Sequence, residues 1–313
     1  MTVYRALAPA KINLGLFLGP TRAEDGRHEL VTVMQSISLA DELTLEPAAA
    51  GAAGDEVRCP GVDGAPEDNL AAEALRLFRA HTGWAEPPLR LTIVKRIPVA
   101  AGLGGGSADA AAALRLAARA SGLGDGEQLL GLAEELGADV PAQVVPGRWL
   151  ASGAGERLMA LPDPAAPLGV LVLPALEGLS TASVFGEADR LGLTRPPAVL
   201  RQRSREIVSA LERGAPLAAA TELLHNDLQR AAFSLRPDIA DALREARGSG
   251  AELSLVSGSG PTVLGLYAHA AASGGPVEQA RLAAAGLGDR AAGALSAEAV
   301  TGEFGVVSEL EAA

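Results

Sequence analysis

The sequence predicts an α+β protein built from two units, and three observations carry that expectation. Strand-like and helix-like segments intermix without a regular βαβ repeat, which favours α+β over a doubly wound sheet. The chain has 313 residues, more than one hydrophobic core usually serves. A proline-rich passage, Pro162 to Pro167, falls near the middle, where repeated Pro breaks helix and sheet alike. The expected units are therefore residues 1–164 and 165–313.

Taken in order, residues 37–45 alternate apolar and polar as a half-buried strand does. Residues 48–68 are rich in Ala, Gly, Asp and Pro and read as a surface excursion between strands. In 69–82, Leu70, Ala74, Leu77 and Phe78 recur at helical spacing. Residues 89–97 alternate more cleanly and predict a second strand. Helices follow over 107–120 and 127–136, the latter ended by Gly137. In the second half, 169–174 is a short apolar run that predicts a buried strand. Residues 191–197 form a breaker-rich loop, and 199–212 and 216–232 read as helices. Two further strands, 253–256 and 263–267, flank the turn Ser257 to Pro261.

The composition is 48% hydrophobic and 20% charged, which argues against extended disorder. Aromatics are 3%, so Ala, Leu and Val must build the core. The formal charge of −12 repels nucleic acid and anionic membranes, and neither is an expected partner. Any phosphate site must then work through local dipoles and a few cations. Cys59 is the only cysteine, which leaves no intrachain disulfide, and the four histidines lack metal-ligand spacing. Arg5 and Lys11 interrupt the apolar N-terminus, so no signal peptide is expected. No run approaches the ~20 apolar residues of a membrane span, and the expected location is cytoplasmic. A monomer or a homodimer fits these features equally.

The strongest motif runs from Pro98 to Leu114, with four glycines, Gly102, Gly104, Gly105 and Gly106, followed by Ser107. A strand pattern precedes it and an Ala-rich helix pattern follows. Such a loop lets backbone approach a ligand closely, and the helix behind it aims free amides and a partial positive charge at an anion. Ser107 either caps the helix or turns its hydroxyl to a phosphate oxygen or Mg²⁺. No Lys follows the glycines, which excludes a P-loop, and Ser107 stands where a dinucleotide fingerprint needs Gly. Two shorter motifs lie on either side. Lys11 and Asn13 interrupt an apolar segment, and Asp139 follows a helix end at Gly137. Taken alone, Lys11 reads equally as a surface cation on a strand, and Asp139 as a helix cap or turn residue.

Together, Pro9-Ala10-Lys11-Ile12-Asn13, the glycine loop, Gly137-Ala138-Asp139-Val140-Pro141 and Val256 to Thr262 occur in one order that resembles the GHMP kinase superfamily. The likeness extends over nearly the whole chain, including Asp25 to Leu30 with Gln35, Glu67 to Leu70, Gly153 to Glu156, and Asn226 to Leu228. It implies an N-terminal domain like ribosomal protein S5 domain 2 and a ferredoxin-like C-terminal domain, with ATP and a small-molecule alcohol meeting between them. The branch most similar to this chain phosphorylates a cytidyl-diphosphate-linked polyol.

The resemblance implies Asp139 as general base with Lys11 beside it. It implies ATP held by Pro98, Ala101, Gly102, Leu103, Gly104, Gly105, Gly106, Ser107 and Ala108, with Mg²⁺ near Ser107. Asn13, Arg27, His28, Phe185, Ser257, Gly258 and Ser259 would face the acceptor. Two positions depart from that branch. Arg27 replaces an aromatic expected before His28, and Ala142 stands where Phe is common. Arg27 can still stack through its guanidinium plane. These departures leave a kinase for a different alcohol as an alternative, and a nucleotide-binding protein without turnover as another. Phe185 also reads as a core residue, and Ser257 and Ser259 as turn residues.

Overall fold

The computed structural model describes residues 2–62, 68–212, 223–272, 274–288 and 293–310. It begins with a long antiparallel hairpin, β1 (Val3–Thr21) and β2 (His28–Pro47). Breaks in register at Pro9/Ala10, Asn13/Gly15 and Leu18/Thr21 bend this ribbon. One end of β2 pairs with β4 (Leu89–Val94), which runs parallel to β3 (Glu56–Arg58). The other end pairs with β5 (Arg148–Gly153), itself joined to β6 (Arg157–Ala160). Near the C-terminus, β11 (Ser308–Leu310) returns to the free edge of β1.

The sequence anticipates only the last part of β2 and no strand at β1, for a physical reason. Residues 8–19 and 31–37 are buried without interruption, so both faces are apolar and the two-residue alternation disappears. The strand at 89–97 stops at Val94, because Asp41 captures the amides of Arg96 and Ile97 at 2.5 and 2.8 Å.

Four helices cover this sheet. α1 (Leu70–Thr82) is capped by Asn69, whose side chain accepts from the Ala71 amide, and ends at Gly83 in the left-handed region. α3 (Gly126–Leu136) starts with a capping box between Asp125 and Gln128. α4 (Pro141–Val144) is one short turn. Between them α2 (Gly105–Ser121) is buried around Ala108, Ala110–Ala113 and Ala117, and such small residues allow β1 and α1 to pack closely on it.

The passage 162–167 carries the chain from β6 to a second sheet of order β10-β7-β9-β8, formed by β7 (Gly169–Leu173), β8 (Leu253–Val256), β9 (Val263–Tyr267) and β10 (Leu295–Glu298). Here the alternation is plain. Val170, Val172, Leu264 and Leu266 face the first sheet's interior residues, while Leu171, Leu173, Val263 and Tyr267 face α8 (Asp238–Gly248) and α9 (Pro276–Leu287). The second sheet is thus a middle layer. α5 (Thr181–Arg190) and α6 (Pro197–Glu212) complete this half, with the loop 191–196 between them.

The expected helix at 216–232 needs correction. Residues 216–222 lie outside those described, and the helix that is seen, α7, spans Gln229–Leu235. His225 and Asp227 instead exchange backbone bonds with Leu16, at 2.7 and 2.9 Å, so this stretch lies beside β1. The sheet layer also restricts Gly169, where an added Cβ would come 2.1 Å from the Pro276 carbonyl oxygen at the start of α9. Gly169→Ala is expected to cost about 1–3 kcal/mol in urea unfolding through this backbone clash; an unchanged midpoint would contradict the packing.

Candidate active site

The glycine loop adopts backbone that its residues were suited for. Gly102 and Gly104 have φ of 75° and 69°, and a Cβ at Gly102 would meet the Gly260 carbonyl oxygen at 2.4 Å. Ala100, just before them, holds φ 58° without that licence, a strained position of the kind that clusters at functional sites. α2 begins at Gly105, so Ser107 sits in its first turn and is not the cap. The first intrahelical bond is Ala108 N to Gly104 O, 2.8 Å, which leaves the amides of Gly105, Gly106 and Ser107 without a helical acceptor.

Two segments of chain converge on this loop. β1 passes beneath it, with the Lys11 amide donating to the Leu103 carbonyl at 2.9 Å. The turn after β8 closes from the other side, where Thr262 Oγ1 donates to the Ala101 carbonyl at 2.7 Å. Ser257 Oγ accepts from the Asn13 amide at 3.1 Å. Ser257 is fully buried by this role and does not face the cavity, unlike Gly258 and Ser259. Asn226 fixes the same turn by donating to the carbonyls of Val256 and Gly258, both at 2.7 Å.

Lys11 Nζ donates to Asn13 Oδ1 at 3.0 Å and lies 3.3 Å from Asp139 Oδ2. Asn13 Nδ2 donates to Thr32 Oγ1 at 2.8 Å, and that hydroxyl donates to the Gly15 carbonyl at 2.6 Å. Both ends of the Asn13 amide are therefore engaged, and its orientation is fixed. The lysine side chain is 10% exposed and the Asp139 side chain 44%. A buried cation thus holds an accessible carboxylate, which is the arrangement that proton abstraction from a bound hydroxyl requires.

Lys11, Asn13, Gly102, Gly104 and Asp139 line a cavity of about 660 Å³ that continues past Arg27, His28, Phe185, Gly258 and Ser259. Arg27 is anchored through Nη2 to the Ala154 carbonyl at 2.8 Å. His28 and Phe185 meet with ring centroids 5.2 Å apart. Phe185 lines the cavity and also packs, partly buried, against the cluster of Val184, Ala188 and Leu228. Ala101, Leu103 and Ala108 are buried and support the loop from below. Ala142 is buried beside Met34 and Ala151.

No local pattern marks Thr32, whereas Thr262 and Asn226 fall in segments that carry the resemblance; each acts through contacts with residues far along the chain. Beneath the loop, Lys95 lies between Asp41 and Asp109, 2.7 Å from Asp109. Burial pushes the Asp109 carboxyl up to about 7, against the pull of Lys95. Among the described residues no cluster of three or more His, Cys, Asp or Glu could hold a metal ion. Ser107 offers only a hydroxyl, which suits a magnesium ion carried mainly by phosphates and water. No described helix is long and apolar enough to cross a membrane.

A glycine-rich loop beside a lysine–aspartate pair, at the seam of one mixed and one antiparallel sheet, is an arrangement suited to a small-molecule phosphotransferase. The sequence profile of the GHMP kinases N terminal domain matches residues 69–147, and that of the GHMP kinases C terminal matches 198–286. The chain belongs to the GHMP kinase family, and so to the ATP-dependent small-molecule kinases. It is 44% identical over 261 residues to the 4-diphosphocytidyl-2-C-methyl-D-erythritol kinase of Streptomyces coelicolor, covering 81% of this chain and 84% of that one. The enzyme of the same name from Streptomyces avermitilis is 43% identical over 263 residues, with the same coverage. A crystal structure of 4-(cytidine 5'-diphospho)-2C-methyl-D-erythritol kinase superposes with a TM-score of 0.73 at 35% identity, covering 95% of this chain and all of that one. Homoserine kinase from Cytophaga hutchinsonii shares the fold at a TM-score of 0.73 and 16% identity, covering 99% of this chain and 97% of its own.

One wall of the site depends on Asp227, which accepts from Arg195 through two bonds of 2.6 Å and from the Leu18 amide at 3.0 Å. Burial works to raise its pKa, but Arg195, His225 and the Leu18 amide outweigh it and hold it below 3.8. Its ionised form is therefore stabilising above that range, and the contribution is lost as pH falls through the depressed folded value. Asp227→Asn is expected to lower stability by about 2 kcal/mol at neutral pH. In urea titrations the gap should close only in strong acid; a gap that closes near neutrality would contradict the pairing.

Proposed function

We propose that this protein transfers the γ-phosphoryl group of ATP to the 2-hydroxyl of 4-diphosphocytidyl-2-C-methyl-D-erythritol, a step of non-mevalonate isoprenoid precursor synthesis. The observation that carries the reading is a single cavity with the Lys11–Asp139 pair at one end and the His28–Phe185 pair at the other. A cytidyl group at the aromatic end places a polyol linked through a diphosphate near the reacting end. The identity of 40–44% to relatives of that name supports the same acceptor.

ATP would lie with its phosphates on the amides of Gly105, Gly106 and Ser107, between the unit of residues 1–164 and that of 165–313. Asp139 takes the proton of the acceptor hydroxyl as its oxygen bonds to the γ-phosphorus and the bond to the β-phosphate oxygen breaks, leaving ADP. Lys11 stabilises the charge that develops on the acceptor oxygen and the transferring group. Such transfer passes through a loose transition state, so position and charge neutralisation matter most. Magnesium, held by the phosphates with the Ser107 hydroxyl as protein ligand, would supply further neutralisation of the same oxygens. Asn13 orients Lys11, while Gly258 and Ser259 close the acceptor side.

An ATP-consumption assay over the cytidyl substrate, homoserine, mevalonate and galactose tests the acceptor directly. Turnover of the first alone is expected, and turnover of another in its place would sink the assignment. Asp139→Asn should reduce kcat by ~10²–10⁴ with ATP affinity retained; near-normal turnover would remove Asp139 from the base role. A Cβ at Gly105 would stand 3.2 Å from Ile97 Cγ2 and 3.3 Å from Lys95 Nζ. Gly105→Val should therefore displace the first turn of α2 and weaken ATP binding, measured by calorimetry; unchanged affinity would contradict the cradle.

A further inference from the structure

His28 is 8% exposed, at the start of β2, yet it lines the cavity. Its Nε2 lies 2.8 Å from Asp189 Oδ1 and 3.3 Å from Thr21 Oγ1. Asp189 stands on α5 one turn beyond Phe185 and two beyond Thr181, so helical spacing puts all three on one face. Thr181 and Phe185 line the cavity as well, so α5 presents to it both the ring that meets His28 and the carboxylate that holds it. Among the described residues His28 Nδ1 has no hydrogen-bond partner, and it is not one of the sealed, unpartnered polar atoms. It is open to the cavity.

An ionised carboxylate only accepts hydrogen bonds, so Nε2 must carry the proton it receives. In the neutral ring the other nitrogen is then a lone pair. We propose that Asp189 is a positioning residue that fixes this tautomer and thereby makes His28 Nδ1 an acceptor that selects cytosine over uracil. This rests on the cytidyl reading above. The 4-amino group of cytosine donates to Nδ1. Uracil presents a carbonyl oxygen at the same place, and two lone pairs oppose each other. The discrimination is achieved at His28 but set by Asp189, which contributes no atom to the base itself.

The test compares the cytidyl substrate with its uridyl analogue in the wild type, Asp189→Asn and Asp189→Glu. The wild type should favour cytidyl by roughly 10–100-fold in kcat/KM. The carboxamide of Asp189→Asn can donate to Nε2 and move the ring proton to Nδ1, a tautomer reversal of the kind known from catalytic triads. The preference should then fall by about tenfold or more, through KM, with kcat for the cytidyl substrate nearly kept, while Asp189→Glu restores it. An unchanged preference in Asp189→Asn overturns the proposal.

Nitrogen-15 NMR of the histidine rings at about pH 8 gives a readout independent of substrate. With four histidines in the chain, His28 is assigned by its loss in His28→Gln. The proton is expected on Nε2 in the wild type and displaced in Asp189→Asn. A wild-type ring protonated on Nδ1 overturns the proposal whatever the acceptor proves to be. Failure of the wild type on both nucleotides, with the expected tautomer present, would instead fault the cytidyl reading and with it the selection of cytosine, leaving only the role of Asp189 in holding the ring.

Discussion

A lysine on a strand buried on both faces must have its charge answered, and much of the site follows from that requirement. Lys11 lies 8% exposed on β1, where an unpaired charge would be costly. Asn13 accepts from it, Asp139 pairs with it, and the dipole of Asn13 is locked in turn by Thr32. The same strand donates its Lys11 amide to the glycine loop and its Asn13 amide to Ser257. One extended segment therefore ties the glycine loop, Asp139 and the turn from the second sheet into a fixed geometry. Helical backbone at this place would spend those two amides on its own carbonyls.

This arrangement also resolves how a chain of charge −12 handles anionic ligands. The positive potential is local. Three amides at the start of α2 face outward without intrahelical partners, and Lys11 stands under Gly104, where a Cβ would touch its Cγ at 2.9 Å. Lys95 contributes differently, since Asp41 and Asp109 absorb its charge below the loop. It holds the start of α2 to the end of β4 more than it attracts phosphate. Screening limits the range of the acidic remainder of the surface to about 10 Å.

The parts of this site that the sequence made legible are those whose chemistry restricts residue type. Only glycine fits the positive φ and close approaches of Gly102 and Gly104, so the loop announces itself. Lys11 and Asp139 stand out as ionisable groups among apolar neighbours. The strands β7, β8 and β9 are legible because short apolar runs between breakers leave little else to predict, and their bounds agree within a residue or so. β1 is not, because full burial erases its alternation. The segment before α7 reads as helix by composition, yet Leu16 draws its backbone into pairing. Thr32 and Asp189 carry no local signal at all, because their partners are remote in the chain.

The geometry separates chemistry from recognition. In the proposed reading, phosphate binding and proton abstraction fall to β1, the Gly102–Ser107 loop and the turn at Asp139, all in the first half. The far end of the cavity combines His28 from the start of β2 with Thr181 and Phe185 from α5. A substitution on α5 can thus alter what is recognised while the Lys11–Asp139 distance stays as it is. That separation fits a fold shared, at 16–17% identity, with a homoserine kinase and with Leishmania major mevalonate kinase, proteins named for different alcohols. The departures at Arg27 and Ala142 touch the same division. Arg27 lies on the recognition side, where its guanidinium is tied to Ala154 and still lines the cavity. Ala142 is filled around by Met34 and Ala151 without reaching Asp139. Neither residue enters the hydrogen-bond chain from Thr32 to Lys11.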